Sequence, residues 1–246
     1  MKISEFLQII DTIAPWELAE AWDNPGLLVG DPEEEVTGVL LCVDATPAAV
    51  DDAAARGLNL ILAHHPLLFR GTKHLRADEY EGALLMRLVR RGISLAAAHT
   101  NLDRAPGGVN DCLAQALGLR VEQSEDYLRV GAPGVRTAGE LADLARATIN
   151  PQAVFYGERD RAIDCVASSC GAGGEFFAEA ARRGAQVFVT GEMKHNERIE
   201  AEGLGLGVLL LGHGESEAVV LEPLRARLAA QIRAEVFAPQ RPGARG

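Results

Sequence analysis

Short β-rich runs alternate with amphipathic helical runs almost from end to end of this chain, and that alternation confines it to the α/β folds. Ser4–Ile13 sets Phe6, Ile9, Ile10 and Ile13 at helical spacing, and Asp23-Asn24-Pro25-Gly26 reads as a turn. Val36–Val43 is a strand. Thr46 followed by Pro47 gives an N-cap and a first-turn proline, starting a helix to about Ala55. A strand over Leu58–Ala63, a helix over Asp78–Arg91 and a strand over Ile93–Ala98 follow. The helix from Gly107 to Leu117 is stopped by Gly118. This β-α-β-α-β-α order predicts a parallel or mixed sheet covered by helices.

Around Gln123–Asp126 the pattern turns polar, and the domain boundary is placed there. Thr137 and Glu140 form a capping box for a helix to Ile149. Strands are expected over Ala153–Tyr156, Ile163–Ser168, Val187–Thr190 and Val208–Leu211, with helices over Glu175–Arg183 and Lys194–Glu202. A last helical stretch covers Ser216–Ala234, with a kink or fresh start at Pro223. The tail Pro239–Gly246 is too rich in Pro, Gly and Arg to pack. A chain of 246 residues is long enough for one large α/β domain or two modest ones and buries a real core without staples.

Charge narrows the function classes. Lys plus Arg number 24 against 35 Asp plus Glu, a net charge of −11, which argues against the basic face that a nucleic acid or an anionic membrane surface requires. No apolar run approaches the roughly 18–20 residues of a membrane span. Glu5 and Asp11 in the first helix argue against a signal peptide. Cys42, Cys112, Cys165 and Cys170 contain no C-x-x-C pair and read as reduced thiols of a cytoplasmic protein.

The six histidines are not scattered. His64 and His65 close one strand, His99 closes another, His195 follows a third and His213 closes a fourth; only His74 lies elsewhere. Loops beyond the carboxyl ends of parallel strands are where α/β sheets bind ligands. Adjacent strand side chains point to opposite faces, so His64 and His65 can serve one site only where Pro66 turns the backbone out of the ladder. Asp103 ends the excursion that follows His99 and precedes a helix, and Glu217 follows His213 by four, one helical turn. Taken singly, these are equally a hydrogen-bonded loop pair, a helix-cap aspartate and a solvated helical turn. Asn110 and Asp111 read as exposed helix positions.

Together, His64, His65, Asp103, His213 and Glu217 offer three imidazoles and two carboxylates. That set suits Zn, Mn, Fe, Co or Ni better than Ca or Mg. Five donors exceed what one zinc usually takes, so two ions sharing a bridging carboxylate are the simpler reading. A pair of divalent ions lowers the pKa of a bridging water, which makes hydrolysis the natural reaction. His99 either orients such a water or hydrogen-bonds within its loop. The loop Gly171-Ala172-Gly173-Gly174 is either a phosphate-receiving loop or a tight structural turn.

These residues resemble those of the Nif-3-like family, whose bacterial members are dinuclear metal-centre hexameric proteins. The likeness is carried by Asp23-Asn24-Pro25-Gly26-Leu27-Leu28, His64-His65-Pro66-Leu67 and His99-Thr100-Asn101-Leu102-Asp103 continuing through Gly107-Gly108-Val109-Asn110-Asp111. Further on come Gly171-Ala172-Gly173-Gly174, Val189-Thr190-Gly191-Glu192, and Gly212-His213 with Ser216-Glu217. The resemblance implies two similar α/β domains with mixed sheets, the first spanning 1–124 plus 219–246 and the second 125–218. It implies two divalent ions held by His64, His65, Asp103, His213 and Glu217, and a toroidal homohexamer with these sites facing an inner cavity. The implied activity is that of a GTP cyclohydrolase type 2-like hydrolase acting on a nucleotide; the alternatives are a phosphoesterase-type metallohydrolase and a hexameric scaffold without turnover. Where the family commonly shows an aspartate and paired histidines, this chain has Glu192-Met193-Lys194-His195, which leaves His195 as a substrate-facing or outer candidate beside His99.

Overall fold

A computed structural model describes residues 1–239. The expected tail therefore lies, from residue 240 on, outside the described residues. The chain forms two compact units, one of Met1–Pro106 with Leu221–Pro239 and one built on Gly107–Val220.

The first unit opens with helix α1 (Ile3–Ile13), which buries Ile3, Phe6, Ile10 and Ile13, and continues through β1 (Gly26–Val29), β2 (Gly38–Cys42) and α2 (Pro47–Arg56). Thr46 caps α2 as its spelling requires, its hydroxyl accepting the Ala49 amide at 3.1 Å. Then come β3 (Leu60–Ala63), α3 (Tyr80–Arg91), β4 (Ser94–Ala97) and the five-residue α4 (Thr100–Arg104). The second unit holds α5 (Val109–Ala116), the hairpin β5 (Leu119–Glu125) and β6 (Leu128–Pro133), α6 (Ala138–Thr148), β7 (Val154–Tyr156) and β8 (Val166–Ser169). It ends with α7 (Phe177–Arg182), β9 (Val187–Thr190), α8 (His195–Gly203), β10 (Gly207–Leu210) and α9 (His213–Glu217). The chain then returns to the first unit as α10 (Leu221–Ala229) and β11 (Glu235–Phe237).

Each unit carries one mixed sheet. The first runs β1-β4-β3-β2-β11, parallel except for the antiparallel edge strand β1. The second runs β5-β6-β8-β9-β10-β7, with a parallel centre and antiparallel flanks. Their cores are separate: Leu40, Val50, Ile61, Leu84, Leu88 and Leu95 pack in one, Val130, Phe177, Phe188 and Val208 in the other. Central strands β2, β3, β4, β8 and β9 are buried along their whole length, as strands covered on both faces must be.

Three sequence expectations change. The polar stretch Gln123–Asp126, read as a boundary, is the exposed edge of the β5–β6 hairpin, and the division between units falls after Pro106. Helix α5 packs on β5, β6 and β8, which draws it into the second unit. The stretch Ser216–Ala234 is not one helix: α9 ends at Glu217, α10 starts afresh at Leu221 with Pro223 in its first turn, and β11 adds a strand beyond it. Asn110 is fully buried, its side-chain oxygen accepting the Cys170 amide at 2.9 Å, while Asp111 pairs with the buried Arg129 and accepts the Gly107 amide. No disulfide links the four cysteines, and burial pushes the Cys42 thiol up to about 12, the signature of an inert core thiol. Among the described residues no helix is long and apolar enough to cross a membrane.

Candidate metal centre

In the first unit the functional side chains leave the carboxyl ends of adjacent parallel strands. His64 and His65 follow β3 directly, their amides still donating to Cys42 and Val43 carbonyls at 2.9 Å, and Pro66 then ends the ladder. His99 follows β4, and Asp103 sits one turn into α4. The ring centroids of His64 and His65 lie 5.0 Å apart, and those of His64 and His99 5.3 Å. Ligand nitrogens of all three imidazoles fall within 4.8 Å of one another, a spacing able to hold a metal ion.

Each ring is turned by an oxygen at Nδ1. His64 Nδ1 donates to the Ala98 carbonyl at 2.9 Å, His65 Nδ1 meets Asp44 Oδ1 at 2.8 Å, and His99 Nδ1 meets Asp23 Oδ1 at 2.8 Å. A carbonyl only accepts, so His64 carries its proton on Nδ1 and in the neutral ring presents the Nε2 lone pair. That nitrogen is 3.5 Å from Asp103 Oδ1, with both side chains buried. Metal-ligating histidines are oriented in this way, by an acceptor on the ring nitrogen that faces away from the ion.

Asp23 is the sequence feature whose role was least legible, because the Asp-Asn-Pro-Gly spelling already accounts for it as a turn residue. Its side chain is wholly buried; Oδ1 holds His99 and Oδ2 accepts both the amide and the hydroxyl of Thr100. Burial pushes this carboxyl up, but hydrogen bonds from His99 and Thr100 outweigh it and hold the pKa at about 2. A lowered folded pKa adds stability that is fully present above the ordinary value of 3.8 and is lost as pH falls through about 2. Urea unfolding between those limits should show wild type losing up to about 2 kcal/mol that Asp23→Asn does not lose. Parallel pH profiles would contradict the brace.

In the second unit His213 opens α9 after β10, and Glu217 stands one turn on. His213 Nε2 lies 3.0 Å from the buried Glu217 Oε1, and Nδ1 lies 3.1 Å from Glu192 Oε1. Glu217, then desolvation opposing it, then Glu192 set the imidazole, and the carboxylates raise its pKa to about 9. A divalent ion competes with that proton for the same nitrogen. Gly171, at φ +54°, brings its backbone against this pair: a Cβ there would stand 2.3 Å from Glu217 Oε1 and 3.2 Å from His213 Nε2. The Gly171 amide donates to Ser216 Oγ at 2.9 Å, and the Gly173 amide to the Cys170 carbonyl at 3.1 Å. The Gly171 and Gly173 amides are thus engaged within the protein, and Gly171 packs its backbone against the acid–imidazole pair. His195 is exposed at the start of α8 with Arg198 at 3.3 Å and joins neither cluster.

The fold is that of a two-unit α/β protein, with imidazoles and carboxylates gathered at the carboxyl ends of the strands in each sheet in groups that could hold a metal ion. The Duf34/NIF3 (NGG1p interacting factor 3) profile matches residues 1–241, and the chain belongs to that family. A Clostridium perfringens protein named GTP cyclohydrolase 1 type 2 homolog is 32% identical over 247 residues, covering 96% of this chain and 94% of its own. A Staphylococcus aureus hypothetical protein of known crystal structure superposes with a TM-score of 0.90 at 31% identity, covering 98% of this chain and 96% of its own. Reduced HcgD from Methanocaldococcus jannaschii superposes with a TM-score of 0.85 at 28% identity, over 97% of each chain.

Proposed function

We propose that His64, His65 and Asp103 of the first unit, with His213 and Glu217 of the second, hold two divalent ions, and that the chain is a metal-dependent hydrolase of the GTP cyclohydrolase type 2-like group. The observation that carries this reading is the gathering of His64, His65 and His99 ligand nitrogens within 4.8 Å of one another, each ring turned by a partner at Nδ1, with His64 Nε2 3.5 Å from Asp103 Oδ1. The donor set fits Zn, Fe, Mn, Co or Ni: imidazoles beside carboxylates, partly withdrawn from water. Bound ions would supply Lewis acidity and a water that ionises near neutral pH.

The chain's own residues have separate tasks. Asp23 fixes the His99 ring through Nδ1, so Nε2 faces the His64–His65 cluster and can hold a water or a polar substrate atom there. Asp44 and Glu192 do the same for His65 and His213. Neither Asp44 nor Glu192 is enclosed, so each tunes its histidine through a solvent-screened contact. The assembly we propose is the homohexamer that the resemblance implies, and light scattering should return six times the mass of one chain.

Incubating metal-replete protein with a panel of nucleotides and phosphoesters, beside Asp103→Ala, tests the hydrolase. Turnover should appear with at least one substrate and fall by two orders of magnitude or more in the variant, roughly the size expected when a group acting on the transition state is lost. Activity that survives the substitution would remove the metal-hydrolase reading; no turnover on any compound would favour the scaffold.

A further inference from the structure

Two large aromatic side chains stand in solvent beside the histidine cluster of the first unit. Trp22 is 60% exposed and Phe69 45%. Exposed aromatics carry a hydration penalty that a ligand or partner relieves, so a pair of them next to a polar site is a recognition feature. Their rings are 5.7 Å apart, edge to face, and each lies 6.3 Å from the His99 ring. His99 in turn touches His64 and His65, at 5.3 and 5.5 Å. One continuous line of rings thus runs from solvent to the candidate ligands.

The backbone under these rings is pinned. Asp23, next to Trp22, is anchored by His99 and Thr100, and Asn24 Nδ2 donates to the Leu68 carbonyl at 2.6 Å, which ties the Trp22 turn to the segment carrying Phe69. Such anchoring fixes where the rings stand before anything binds, which limits the entropy lost on association. Directly after Phe69 the chain exposes Arg70 and Lys73, cations in a protein whose net charge is −11. The same loop is held by Thr72 donating to Glu81.

We propose that Trp22 and Phe69 form the ring-binding subsite of this centre, for a ligand that joins a planar heteroaromatic ring to an anionic group, as a nucleotide does. The ring stacks on the exposed aromatic faces, and Arg70 and Lys73 meet the anion. The inference rests on the metal-hydrolase reading only for its placement of the ring's reactive edge beside His99. The chemistry of stacking is indifferent to which base is offered.

Calorimetric titration of the full chain, dialysed against zinc, with GMP, guanosine and ribose 5-phosphate tests the subsite. GMP should bind most tightly. Trp22→Ala should weaken GMP and guanosine about tenfold, the loss expected for one stacked base, and leave ribose 5-phosphate unchanged. Phe69→Ala should act in the same direction, while an Arg70→Ala/Lys73→Ala variant should weaken GMP and spare guanosine. Equal GMP affinity in wild type and Trp22→Ala would overturn the proposal, as would no GMP binding by wild type. A Trp22→Ala chain that changes its oligomeric mass and not its GMP affinity would assign the rings to a contact between copies. Metal content measured on the same samples separates the two readings: ions held without GMP binding defeats only the subsite, and Trp22-dependent GMP binding without ions defeats only the metal centre.

Discussion

Glu217→Ala and His64→Ala should each leave the purified protein with fewer divalent ions than wild type. Both side chains are buried, Glu217 at 3% and His64 at 2% exposure, and a buried charge is costly unless it is paired or coordinates a metal. Loss of an outer hydrogen-bonding partner typically weakens a metal site 10–100-fold, so loss of a ligand should exceed about 100-fold and empty the site during dialysis. Glu217→Gln separates ligation from packing. It keeps the shape of the side chain and removes the charge that balances the ion, so it should lose metal nearly as fully as the alanine variant while melting above it. Elemental analysis with thermal unfolding on the same preparations reads both quantities. Unchanged stoichiometry in Glu217→Ala and His64→Ala would sink the assignment of ligands.

Gly171→Ala is the second large effect, and it acts without touching a polar side chain. The residue lies at φ +54°, where an alanine stores about 1–2 kcal/mol of backbone strain. Its new methyl would also stand 2.3 Å from Glu217 Oε1, closer than a carbon and an oxygen can approach. Either the Glu217 carboxylate or the loop must move, and the loop is held by the Gly171 amide on Ser216 Oγ and by the Glu192 amide on the Gly171 carbonyl. The expected result is a protein destabilised by about 1–3 kcal/mol whose metal content falls like that of Glu217→Ala. A Gly171→Ala protein with wild-type metal content and a wild-type melting temperature would show that the loop does not shape the acid–imidazole pair.

The elements legible in the sequence are those whose local chemistry and tertiary role agree. Thr46-Pro47 and the Thr137/Glu140 box both begin helices where their spelling says, and the apolar runs of β3, β4 and β9 are fully buried strands. Several of the misses share a cause. The β5 strand is exposed at six of its seven positions, so its sequence has no apolar alternation to betray it. β1 and β11 are short edge strands, half-buried or flanked by charge, and pair only because a neighbour offers a ladder. Asn110 and Asp111 look like surface residues until the Cys170 amide and Arg129 are seen against them.

The candidate centre was legible to a different depth. The strand-end histidines and the helical spacing of His213 and Glu217 follow from the sequence, because strand ends and helical turns dictate where those side chains point, whereas Asp103 reads as a loop residue ahead of a helix and the five-residue α4 that carries it leaves no such signal. The partners that orient the rings do not. Asp44 is 21 residues from His65 and Asp23 is 76 from His99, so nothing local signals either contact. A wholly buried aspartate beside an exposed tryptophan is the signal that turn chemistry had masked.

Anomalous diffraction from crystals of the protein grown with zinc tests the central claim most directly. Two zinc peaks per chain are expected, bonded at about 2.0–2.2 Å to nitrogens or carboxylate oxygens of His64, His65, Asp103, His213 and Glu217. Peaks confined to other side chains, or no peak at these five, would contradict it.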